Sequence, residues 1–79
     1  MNFEKKEEMK KRILIYACRS KLAITPTQVA EEFELVYPTA QALLFELALE
    51  GHLELVNKGW ARYFRPIPMP KEGLEVIRR

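Results

Sequence analysis

Glu31 and Glu32 stand side by side, and a pair of carboxylates is a common starting point for acid–base chemistry. Adjacent residues on a helix point about 100° apart, so these two do not converge on one substrate atom and read as a solvated face. The remaining reactive groups are single. His52 is the only histidine, Cys18 the only cysteine, and all eleven acidic residues are glutamates. A nucleophile with its base and orienting acid cannot be assembled from this set. No metal-ligand spacing and no glycine-rich phosphate loop is present either. The chain therefore reads as non-enzymatic, with no cofactor and no metal. His52, beginning a strand beside a helix end, reads as structural. Cys18 reads as a small buried apolar residue rather than a redox sensor. A lone cysteine forms no intrachain disulfide, which fits a reducing, cytoplasmic setting.

Charge carries more information than reactivity. The formal net charge of +2 is too small to declare a nucleic-acid partner, but its distribution is uneven. Residues 1–21 carry net +4, residues 22–59 net −5 and residues 60–79 net +3, so two basic ends flank an acidic middle. The longest apolar run, residues 13–18, is six residues, far short of the roughly 20 that a membrane span requires. The N-terminal stretch mixes acids with bases ahead of that short run and reads as neither a signal nor a transit segment. At 79 residues the chain is expected to form one domain with a single core and no deep substrate cavity. Its expected parts are a charged N-terminal helix half at 2–12, a core at 11–65 and a proline-rich tail at 66–79.

The elements that would position these residues follow from local pattern. Residues 3–21 contain no Gly or Pro, and Glu7 with Lys11 and Glu8 with Arg12 have the favourable i,i+4 spacing, which predicts a first helix. Met9, Ile13, Tyr16, Ala17 and Ser20 form its inward stripe. Leu14, Ile15 and Cys18 widen that stripe until a second surface is needed to cover it. The charged half of this helix reads either as ordered helix or as a solvated arm. Residues 22–25 are strand-like. Thr25, Pro26 and Gln28 then give a capping-box start to a second helix reaching about Phe33, with Val29, Ala30 and Phe33 inward. A third helix is expected from about Pro38 to Glu50, closed by Gly51.

Residues 52–65 read as a β-hairpin. A three-residue turn, Asn57-Lys58-Gly59, pairs Val56 with Trp60, Leu55 with Ala61, Glu54 with Arg62 and Leu53 with Tyr63. A two-residue turn would set Arg62 beside Leu55 on the core face, so the three-residue turn is preferred. It turns Val56, Trp60 and Phe64 away from the core, either as an interface or to be covered by the tail. "KEGLEVIRR" reads as a last short helix turn weakened by Gly73.

Helix, short strand, helix, tight turn, helix and hairpin within about 55 residues resembles the winged helix-turn-helix superfamily from about residue 11 to residue 65. Its carriers are "TPTQVAEEFELV", "TAQALLFELALEGHLEL" with Leu44, Leu47 and Gly51, and "NKGWARYFRP". The segment after the wing is similar to the one that opens a further helix in MarR-like and PadR-like regulators. The fold class the resemblance implies is mainly α with a small β-hairpin: three helices plus a two- to three-stranded wing.

The third helix departs from the DNA-reading pattern. Ala40, Leu43, Leu44 and Leu47 form its buried stripe, while the far side holds Gln41, Ala42, Phe45, Glu46 and Leu49, with neither lysine nor arginine. If this helix enters a major groove, the reading falls to Tyr37, Thr39 and Gln41 at its start. Phosphate contacts then fall to Lys58, Arg62 and Arg65 of the wing and to Lys10, Lys11, Arg12, Arg19 and Lys21 of the first helix. The expected function is sequence-specific binding of double-stranded DNA by a homodimeric transcription regulator. The competing expectation is a winged helix that binds a protein partner in a larger assembly, with Phe45, Leu49, Trp60 and Phe64 as its interface. Neither involves a membrane.

Overall fold

The computed structural model describes residues 2–20 and 22–67. Three helices are followed by a two-stranded antiparallel hairpin: α1 Phe3–Arg19, α2 Pro26–Phe33, α3 Tyr37–Leu49, β1 Leu53–Lys58 and β2 Ala61–Pro66. The molecule is mainly helical with one small sheet. Lys21 and the tail from residue 68, including the expected last helix turn, lie outside the described residues.

The charged half of α1 is helical. Asn2 caps it, its side chain accepting from the Lys5 backbone N–H at 2.8 Å. Arg12 pairs with Glu8 at 3.6 Å as the i,i+4 spacing predicts, whereas Glu7 reaches Lys10 rather than Lys11. Ile13 and Ala17 are fully buried, with Met9 and Tyr16 packed beside them, and the Tyr16 ring meets Phe33 edge to face at 5.7 Å. Cys18 is exposed, correcting the expectation of a buried thiol. It sits on the outer face of α1, on the side away from Ile13 and Ala17, so no core atoms cover it.

α2 begins with a complete capping box. Gln28 N–H donates to the Thr25 hydroxyl, Thr25 N–H donates to the Gln28 side chain, and Pro26 occupies the first turn where its missing N–H costs nothing. The helix ends at Glu34 in the left-handed region, φ 56°. α3 ends in a Schellman arrangement: Gly51 at φ 88° donates to the Ala48 carbonyl and His52 to the Leu47 carbonyl. Its start differs, because the N-cap residue Val36 has no side-chain oxygen to offer the first-turn amides.

The hairpin register corrects the expected one. Lys58 pairs with Ala61, Asn57 with Arg62, Val56 with Tyr63, Leu55 with Phe64, Glu54 with Arg65 and Leu53 with Pro66. The turn is therefore the two residues Gly59 and Trp60. Gly59 has φ 62° and Trp60 is not positive, the signature of a type II′ turn, which matches strand twist better than the three-residue alternative. Leu53, Leu55 and Phe64 face inward, and Tyr63, expected inward, lies on the outer face with Val56. Arg62 does share the inner face, but beside Asn57 at the turn end of the sheet, where its head stays in water.

A third strand is reduced to one bridge. Ile24 exchanges two 2.8 Å hydrogen bonds with Phe64. The next bonded positions in this register would set Pro26 against Arg62 and Leu22 against Pro66, and a proline in each pair lacks the N–H to continue the ladder. This bridge locks the hairpin, for brevity the wing, to the start of α2. Ile24, Val29, Leu44, Leu53 and Phe64 then close the core between wing and helices.

Candidate nucleic-acid interface

α3 presents two flanks beside its buried stripe of Ala40, Leu43, Leu44 and Leu47. Tyr37, Gln41 and Phe45 follow one another at i,i+4 spacing on the flank next to the wing. Thr39 and Glu46 share the opposite flank, next to α1, and Pro38, Ala42 and Leu49 lie exposed between them.

On the wing flank the Phe45 ring meets Phe64 edge to face at 5.4 Å, and the Arg62 guanidinium lies over Phe45, 5.7 Å from the ring centroid. A guanidinium over an aromatic face is held by the ring's negative quadrupole, so Arg62 is oriented while exposed. Above it a groove of about 350 Å³ is lined by Thr25, Pro26, Thr27, Tyr37, Trp60, Ala61 and Arg62. The first turns of α2 and α3 both border this groove, and among the described residues no carboxylate lines it. Helix N-termini add partial positive charge there, and at α3 no side-chain cap consumes the first amides.

The α1 flank is organised by charge. Lys10 is only 4% exposed, and its ammonium donates to Glu50, to Glu46 at 3.3 Å and to Glu7 at 3.4 Å. Lys6 pairs with the second oxygen of Glu46 at 2.6 Å. The Glu50 hydrogen bond, against the opposing effect of burial, holds the Lys10 pKa well above the usual lysine value. The Lys6 hydrogen bond, with help from Lys10, holds the Glu46 carboxyl below the usual glutamate range despite partial burial. Glu46 and Glu50, two of the six carboxylates of the acidic middle segment, are thus drawn toward the basic first helix. That pairing was announced only by the opposite net charges of residues 1–21 and 22–59.

The expected binding residues divide accordingly. Tyr37 and Arg62 meet in the groove, with Gln41 one turn along the same flank. Thr39 is on the other flank with Glu46. Lys58 and Arg65 line a separate groove of about 700 Å³ on the outer face of the wing with Leu22, Ala23, Thr25, Gln28, Val56 and Tyr63, and Arg65 is held by Glu54 at 3.0 Å. Lys10, expected on phosphates, is buried among carboxylates and unavailable to an anion. Lys11, Arg12 and Arg19 are exposed on α1.

Of the expected interface residues, Phe64 is fully buried and belongs to the core. Phe45 is half-buried beneath Arg62, Leu49 is 87% exposed and Trp60 is 98% exposed. Thr25 and Thr27 join the groove without having been expected at a site: only the capping role of Thr25 is visible locally, and Thr27 carries no local signal. Among the described residues no group of His, Cys or Glu side chains has a metal-holding arrangement, and no helix is long and apolar enough to cross a membrane. No protein-family model matches the chain, and neither the curated proteins nor the solved structures give a significant match.

Proposed function

We propose that this chain is a winged-helix protein that binds double-stranded DNA and acts in transcription regulation as a homodimer. The observation that carries this reading is the groove in which Arg62, Tyr37 and the starts of two helices converge, lined by no carboxylate among the described residues, while Glu46 and Glu50 are engaged by α1. In this role the α3 start enters the major groove, Gln41 meets a base edge, and Tyr37 and the uncapped amides take phosphate oxygens. Arg62, already oriented by Phe45, takes the adjoining backbone. Exposed Ile15 and Cys18 on the outer face of α1 supply an apolar surface for a second copy.

The test is fluorescence anisotropy of a labelled duplex of about 30 base pairs at low and moderate salt. Binding is expected to weaken steeply with salt. Arg62→Ala should weaken it on every sequence and lower the logarithmic salt slope by about one. Gln41→Ala should change preference among sequences, by about 1–3 kcal/mol at one base pair. Equal loss on all sequences for Gln41→Ala would remove its base-reading role.

A protein-binding winged helix is the second reading, favoured by the 87% exposure of Leu49 beside Ala42 on the outward face of α3. Absence of duplex binding even at low salt would turn the assignment to it.

A further inference from the structure

Trp60 stands at the second position of the two-residue turn, 98% exposed, between the cations Lys58 and Arg62. Burial of an indole is ordinarily favourable, and here nothing among the described residues requires the ring: Gly59 supplies the positive φ of the turn, and any residue fits the next position. The groove beside it is lined by Thr27, Tyr37, Arg62 and Trp60, and among the described residues no carboxylate joins them. Donors suited to a phosphate next to a flat aromatic face suited to a base make the chemistry of a nucleotide unit.

We propose that the Trp60 indole stacks on an unpaired nucleobase, so that the DNA this chain prefers is a duplex with a single-stranded flank at the wing tip. The inference rests on the DNA-binding reading and specifies the form of DNA. Stacking on a base already unpaired avoids the free energy of opening an intact step, which a single ring at a hairpin tip is poorly placed to offset. Arg62 and the α3 start hold the paired part, and Trp60 takes the first base beyond it.

The ring is the only tryptophan of the chain, so intrinsic fluorescence reports on this position alone. The experiment compares a short duplex carrying a single-stranded thymine flank with the same duplex carrying a flank of abasic nucleotides, equal in length and charge. The thymine flank should quench the fluorescence and bind about tenfold more tightly. Trp60→Ala should erase that difference while keeping affinity for the abasic-flanked duplex, and Trp60→Phe should keep part of it. Equal affinity and equal quenching on the two flanks, with duplex binding intact, would overturn the stacking role and leave the DNA-binding reading standing. No binding to either would overturn both.

Discussion

The two flanks of α3 are held by different physics. Toward the wing, Phe45 and the fully buried Phe64 make an aromatic contact whose free energy comes from area removed from water, and salt leaves it nearly unchanged. Toward α1, Lys6 and Lys10 hold Glu46 and Glu50. Desolvating Lys10 offsets much of that attraction, so the cluster adds little net stability. Its larger consequence is electrostatic. It withdraws two negative charges to one side of the helix and leaves the wing side to Arg62 and the helix starts. One helix thus acquires a neutralised flank and a cationic flank without carrying a single basic residue of its own.

Five substitutions at four positions sharpen or break this contrast. Phe64→Ala should cost most, about 3 kcal/mol, with a urea midpoint shift that moderate salt does not alter. A loss below about 1 kcal/mol would mean that the ring does not anchor the wing. Lys10→Ala should cost about 2 kcal/mol, less than the roughly 3–5 typical when a buried pair loses one partner, because the carboxylates left behind still reach water. Their mutual repulsion is screened, so salt should recover part of the loss. A loss untouched by salt would assign the contribution of Lys10 to packing alone.

At the start of α3, Val36→Ser should stabilise the fold by about 1 kcal/mol, read as a higher melting temperature, because it provides the missing cap. Val36→Asp should stabilise it similarly while weakening duplex binding, since its carboxylate occupies the amides proposed for phosphate. Unchanged affinity in Val36→Asp would remove that helix start from the DNA interface. The smallest effect belongs to Glu46. Its lowered carboxyl pKa adds stability that is present above the usual glutamate value of 4.5 and is lost as pH falls through the lower folded value. Glu46→Gln should therefore lower stability at neutral pH by less than about 1 kcal/mol after screening at this partly exposed site, and flatten the acid side of the stability curve. An unchanged acid limb in urea titrations would detach the α1 flank from the pH response. Lys10 adds nothing to that limb: its raised pKa keeps it charged throughout, and its contribution is lost only above the ordinary lysine range.

The hairpin shows where local pattern stops being sufficient. Alternation in residues 53–58 and 61–66 makes two strands, yet moving the turn from Asn57-Lys58-Gly59 to Gly59-Trp60 exchanges the faces of β2. Avoiding an arginine on the inner face pointed to the wrong turn, because Phe45, eight residues before β1, offers the Arg62 guanidinium a ring face to sit over. The same shift takes Phe64 from the expected interface into the core and leaves Trp60 alone at the tip. Cys18 follows similar logic: an apolar stripe too wide for one helix must leave one edge uncovered, and only packing decides which.

What the sequence by itself determined are features made within about four residues of chain. They include the capping box at Thr25 and Gln28, the Gly51 terminus of α3, and the helical stripe of Ala40, Leu43, Leu44 and Leu47. Their partners are fixed by backbone geometry, so residue type and spacing suffice. Tertiary structure alone decided the strand register, the burial of Lys10 among three glutamates, and the meeting of Tyr37 with Arg62 in one groove. Each of these depends on which distant surface arrives beside a side chain, and the free energy that selects it comes from the packed whole rather than from any segment.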